Sequence, residues 1–149
     1  MCGVSMDFQK NQKNGEKLSL RYGIIVTNVK CLSEDKMKIV EDSISFDEIK
    51  QMAAGLFGDM VKAVIDVDME LLAVDAELHA DLEALLLEHG SKQKNLWGIN
   101  LYPELPGEGF IEFNSMINVR PSQNNRSRGV EDAAIRAEIA EIVAKKVSK

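Results

Sequence analysis

The most unusual chemistry in this chain lies between Asn114 and Val130. These seventeen residues contain no acid and no lysine, yet they hold three of the five arginines of a chain with thirteen lysines. Arg120, Arg126 and Arg128 are interleaved with Asn114, Asn118, Gln123, Asn124, Asn125 and three serines. A guanidinium offers a planar fork that grips carboxylate or phosphate through two parallel bonds, which an ammonium cannot do. A Ser-Arg-Gly run ahead of a helix also presents backbone amides that suit anions. The pattern fits a site for a small phosphate- or carboxylate-bearing ligand. In it Arg120, Arg126 and Arg128 hold the anion, while Asn118, Gln123 and Asn125 read the rest of the molecule. The same residues also fit a long irregular loop that satisfies its own backbone with Asn, Gln and Ser. Its arginines would then pair with the chain's excess carboxylates, Glu131 and Asp132 being nearest in sequence. Both readings stand at this level.

A second cluster is Glu77-Leu78-His79-Ala80-Asp81-Leu82-Glu83. On a helix Glu77 and Asp81 share a face, and so do His79 and Glu83. A histidine among carboxylates suits general acid–base work, with His79 as the catalytic group and Glu77 or Asp81 beside it. Acids at a helix start also follow from the macrodipole alone, and His79 then serves as a cap. A third segment, Gly90 to Tyr102, is a polar loop feeding a strand. The only tryptophan, Trp97, lies on one face of that strand, with Asn100 and Tyr102 on the other. We expect the Asn100 face to border the arginine loop and add Asn100 to the ligand-binding set.

Other chemistries lack support. There is no phosphate-binding glycine loop, dinucleotide fingerprint, nucleophile elbow or zinc-protease helix motif. Cys2 and Cys31 form no C-x-x-C pair, and His79 and His89 point different ways on a helix, so neither a disulfide framework nor a metal site is expected. No cofactor is implied. The net charge of −6 argues against bulk attraction to nucleic acid, although Trp97 or Tyr102 stacking beside the arginine loop keeps RNA or single-stranded binding as a further alternative. A non-enzymatic interaction or homo-oligomerisation module is the main competitor to the anion site.

These residues need elements to position them. The 149 residues are 45% hydrophobic and 28% charged, a globular composition with room for one core. No window approaches the roughly 18 apolar residues that span a bilayer, and no clean signal peptide opens the chain, so a cytoplasmic protein without membrane contact is expected. Residues 1–36 carry a net charge of +2 and residues 37–149 one of −8. Leu18, Leu20, Tyr22, Ile24 and Val26 alternate as in a strand. Met37-Lys38-Ile39-Val40 then reads as a fresh beginning. We therefore expect 1–36 to be an extension, with Met37 an alternative start, and 37–149 to be the domain.

From Met37 onward the signals are clear. Ile39 to Ile44 reads as a strand, and Ser45 and Glu48 form a capping box for a helix closed at Gly58. Met60–Val67 and Leu71–Val74 make a hairpin turning at Asp68-Met69. A helix from about His79 to His89 should bury Leu78, Leu82, Leu85 and Leu86 and end at Gly90. Leu96–Tyr102 and Phe110–Phe113 are strands, the latter extended through Met116–Val119. Glu131–Val147 is a final helix buried along Ile135, Ile139, Ile142 and Val143. The order β-α-β-β-α-β-β-α predicts an α+β fold, a mostly antiparallel sheet packed against helices in a single two-layer domain.

Two resemblances bear on this reading. Met1-Cys2-Gly3-Val4 resembles the start of the N-terminal-cysteine glutamine amidotransferases over three residues, but the chain is too short for that fold and no later motif supports it. The other is extensive. Glu77-Leu78-His79-Ala80-Asp81, Gly90-Ser91-Lys92-Gln93 with Asn95 through Pro103, Ile117 through Pro121 and Asn125 through Asp132 resemble a small prokaryotic family known as a domain of unknown function. The resemblance covers about residues 37–149. It implies no activity and transfers no catalytic residue. Val74-Asp75-Ala76 departs from the more glycine-rich turn expected there.

Overall fold

A computed structural model describes residues 36–149. The expected strand at Leu18–Val26, and both cysteines, lie outside the described residues. Five strands form one antiparallel sheet: β1 (Lys38–Val40), β3 (Val61–Asp66), β4 (Leu71–Val74), β5 (Leu96–Leu101) and β6 (Ile111–Glu112), in the order β1-β4-β3-β5-β6. β2 (Ile44–Ser45) instead pairs in parallel with β7 (Val147–Ser148). The helices are α1 (Phe46–Gly55), α2 (His79–Glu88) and α3 (Ala133–Lys146).

The α+β class and the antiparallel sheet are as the pattern predicts. The layer count is larger. Val61, Ala63 and Ile65 of β3 face a core shared with Ile49 of α1 and Ile139 and Val143 of α3. Val64 and Ala73 face the other way, onto Leu82 and Leu86 of α2. Helices therefore cover both faces, giving three layers in place of two. All of β5 is buried, as a strand sandwiched between helical layers requires.

Local signals explain most boundaries. Ser45 Oγ accepts from the Glu48 amide at 3.1 Å, a cap worth about 1 kcal/mol. At the hairpin, Asp66 Oδ1 takes the amides of Asp68 and Met69 at 2.8 and 3.0 Å, so the acid itself folds the turn. Gly90 closes α2 with φ +113°, a conformation that costs glycine little. Asp75 adopts φ +77°, which explains why a glycine-rich turn is the natural expectation there.

Four expectations need correction. The strand drawn from Ile39 to Ile44 is two elements, because Glu41-Asp42-Ser43 breaks it and Ile44 pairs with Val147. Leu78 is not in the α2 stripe: it precedes the first turn and is 59% exposed. Met116–Asn118 is a 3-10 turn rather than a strand, begun by Ser115 Oγ accepting from the Ile117 amide. The last helix stops at Lys146, whose ammonium bonds the Glu41 carbonyl, and the chain continues as β7.

Candidate functional site

The site grows from β5, whose outer edge is only partly paired. β6 covers Asn100 and Leu101 and goes no further. Beyond that point the edge is covered by side chains. Asn118, fully buried, accepts from the Gly98 amide through Oδ1 at 2.8 Å and donates through Nδ2 to the Gly98 carbonyl at 3.0 Å. Arg120 donates to the carbonyls of Leu96, Gln93 and Ile117, with its guanidinium carbon 4.4 Å from the centroid of the Trp97 ring. The 116–120 segment thus supplies the pairing that a sixth strand would have supplied.

Gly98 is required by this close approach. A Cβ there would lie 2.6 Å from Ser115 Cβ and Oγ and 3.2 Å from His79 Cδ2. His79, the first residue of α2, is 8% exposed and bonds the Ile99 carbonyl through Nε2 at 2.8 Å. A carbonyl only accepts, so Nε2 carries the proton and Nδ1 keeps its lone pair in the neutral ring. Burial pulls the His79 pKa below its ordinary value of 6.5, and the positive charges of Lys62 and Arg128 act in the same direction, against the hydrogen bond to the Ile99 carbonyl and the nearby Asn100 side chain.

Strand register completes the cluster. Lys62 lies opposite Asn100, and Asn100 opposite Glu112, so cation, amide and carboxylate form one row across β3, β5 and β6. Asn100 Nδ2 donates to Glu112 Oε1 at 3.1 Å, Tyr102 OH donates to the same oxygen at 2.9 Å, and Asn114 Nδ2 reaches Oε2 at 3.3 Å. These donors, Asn100 foremost, hold the Glu112 carboxyl below its usual range. The same carboxylate pushes the Tyr102 hydroxyl up. Arg128 joins through Nε to Asn114 Oδ1 at 2.9 Å. Asn100 Oδ1 is buried and has no hydrogen-bond partner among the described residues.

A family model described as a protein of unknown function, DUF5674, matches residues 38–146. The chain belongs to the DUF5674 family. The match covers the stretch over which the motifs resemble a domain of unknown function. Searches of the curated proteins and of the solved structures found no match. No helix among the described residues of this DUF5674 chain is long and apolar enough to cross a membrane, and no group of three or more His, Cys, Asp or Glu there could hold a metal.

In this DUF5674 domain the three marked segments meet, through His79 on Ile99 and Asn118 on Gly98. Their residues divide into two sets. Asn118 and Arg120 are committed to β5. Asn125 Nδ2 donates to the carbonyls of Asn118, Ser127 and Gly129, and its Oδ1 accepts from the Glu131 amide. Gln123 bonds Arg120 and the Lys94 carbonyl. The loop's anion-binding amides are already filled, because Glu131 Oε2 accepts from Arg126 and Ser127 at 2.9 and 2.8 Å. That contact lowers the Glu131 pKa. The second set is Asn100, His79 and Arg128, which cluster, with Arg126 exposed nearby in the chain. Glu77 and Asp81 are exposed at the start of α2, and the carboxylate joined to the cluster is Glu112. Lys62 and Glu112 escape sequence reasoning because only strand register sets them on either side of Asn100.

Proposed function

We propose that this protein binds a small phosphate- or carboxylate-bearing molecule at the Lys62–His79–Asn100–Glu112–Arg128 cluster. The supporting observation is a pair of cations, Lys62 and Arg128, that share one polar row with a single carboxylate, Glu112. Neither Lys62 nor Arg128 forms an ion pair within 4.0 Å of a described residue; Lys62 Nζ stands 5.2 Å from the Phe57 ring centroid, and the Arg128 side chain bonds only through Nε. Arg128 and Lys62 hold the anion, with Arg126 at the rim. Asn100 is buried behind the site and orients its carboxylate through the bond from Nδ2 to Glu112. His79 takes or shares a proton at Nδ1 where the bound molecule offers one. Arg120, Asn118, Gln123 and Asn125 frame the site. Glu112, in place of Glu77 and Asp81, is its carboxylate.

A thermal-shift screen of the full chain against phosphate, sugar phosphates, nucleotides and small carboxylates tests this. A ligand at about 100 times its Kd stabilises by roughly 2.7 kcal/mol, a rise of several degrees in Tm for a domain of this size. Arg128→Ala and Asn100→Ala should each abolish the rise, and Arg126→Ala should weaken it. A flat screen, or a rise that survives Arg128→Ala, overturns the reading.

A homo-oligomeric interaction module is the second reading. Leu78 and Met116, the chain neighbours of His79 and Ser115, are 59% and 65% exposed, and Val119 follows them at 37%. On that reading Arg126→Ala or Met116→Asp alters the mass in solution rather than ligand binding. Both readings place the function in residues 37–149 and treat 1–36 as an extension. The intact mass of natively expressed protein tests the Met37 start.

A further inference from the structure

A cavity of about 630 Å³ opens on the sheet face opposite His79, lined by Phe46, Phe110, Ile111, Val143, Ala144 and Val147 under the loop at 103–107. The neighbouring residues of β6 thus face different sites, Ile111 this cavity and Glu112 the polar cluster. The volume lies within the roughly 300–1,000 Å³ of small-molecule sites, and its lining is largely apolar, as such sites are. Phe46 and Phe110 form one wall, their ring centroids 5.9 Å apart.

The charged groups lining the cavity are Lys149 and Glu104, and Lys50 stands outside the lining, beside the Phe46 wall. Lys50 Nζ and Lys149 Nζ stand 5.2 and 5.9 Å from the Phe46 ring centroid. Lys149 also lines the cavity and makes no ion pair with a described residue. Lys50 meets Glu104 at 3.9 Å, with both side chains exposed, a contact worth little in water. With Glu104 answered by Lys50, Lys149 is left as the unpaired charge on a largely apolar lining, an arrangement complementary to a molecule with a greasy body and one acidic end.

We infer that this cavity binds an apolar-bodied monocarboxylate of the medium-chain alkanoate kind. The tail packs between Phe46 and Val143, and the carboxylate meets Lys149. This site is separate from the polar cluster and does not rest on the function proposed for it.

Calorimetric titration of the full chain with hexanoate, octanoate and decanoate, all below their micelle concentrations, tests the inference. Saturable one-to-one binding is expected, tightening by about fourfold per added methylene. Decanol should bind at least about tenfold more weakly than decanoate, the loss expected of one charge-assisted contact. Lys149→Ala should erase that preference and leave decanol affinity unchanged. Ala144→Trp, from an exposed helix position lining the cavity, should abolish binding, and Ala140→Trp is a second route should the first not fold. Arg128→Ala should leave decanoate binding intact, which separates the two sites. No saturable binding, affinity independent of chain length, equal binding of acid and alcohol, or undiminished binding in a folded tryptophan variant overturns the proposal.

Discussion

The side-chain amide of Asn118 bonds both backbone groups of Gly98, twenty residues away, with Oδ1 on the amide at 2.8 Å and Nδ2 on the carbonyl at 3.0 Å. One side chain does there what a neighbouring strand does elsewhere in the sheet. A third bond, to the Arg128 carbonyl at 2.9 Å, ties this edge to the segment that carries Arg128.

Asn118→Ala should therefore be severe. It strands buried groups of β5 that each cost about 1–3 kcal/mol unpaired, so a total loss of about 2–4 kcal/mol is expected. The midpoint of urea unfolding should fall with little change in slope. Asn118→Asp should do no better, since its second oxygen faces the Gly98 carbonyl instead of donating to it.

Gly98→Ala should destabilise by about 1–3 kcal/mol, because the new methyl has nowhere to go. The obstruction is chiefly Ser115, whose Cβ and Oγ both lie 2.6 Å from the added atom. Ser115→Gly should therefore recover part of the loss, and a double-mutant cycle should show coupling above about 0.5 kcal/mol. Strict additivity would mean that Ser115 is not what the methyl strikes.

The arginines should separate cleanly by substitution. Arg120→Lys removes the fork that serves three carbonyls and the stacking on Trp97, and should cost about 1–3 kcal/mol with a change in tryptophan emission. Arg126→Ala, at an exposed side chain, should stay within about 0.5 kcal/mol of the parent. Equal effects would remove the distinction between framing and available arginines.

Stability should depend on pH through His79. Its folded pKa lies below the 6.5 of an unstructured chain, chiefly through burial. Between the two values the unfolded state binds more protons, so stability rises with pH across that window. It is full above about pH 6.5 and is lost as the pH falls toward the folded value. His79→Gln should flatten the part of the pH–Tm profile just below 6.5. A profile identical to the parent would assign that slope to other groups.

Much of this molecule is legible in the chain because the causes are local. The Ser45–Glu48 cap, the Asp66 turn, the β4 boundaries and the Gly90 helix end each depend on groups within a few residues of one another. Apolar periodicity likewise gives the α+β order without knowledge of contacts. The layer count escapes it, because alternation along a fully buried strand does not show which helix meets which face.

The arginine loop marks the same divide at the site. Its unusual composition is visible in the sequence, and so is its capacity to bind anions. Its actual use is not, because Asn118 and Arg120 answer β5 groups 20 and 24 residues away, and Glu131 fills the amides meant for a ligand. Strand register then sets Lys62, Asn100 and Glu112 in one row, although 38 residues separate the first pair in sequence. Residue type establishes what each group is able to bind. Whether that capacity is spent inside the protein or left for a partner depends on which unpaired backbone groups the folded sheet brings within reach.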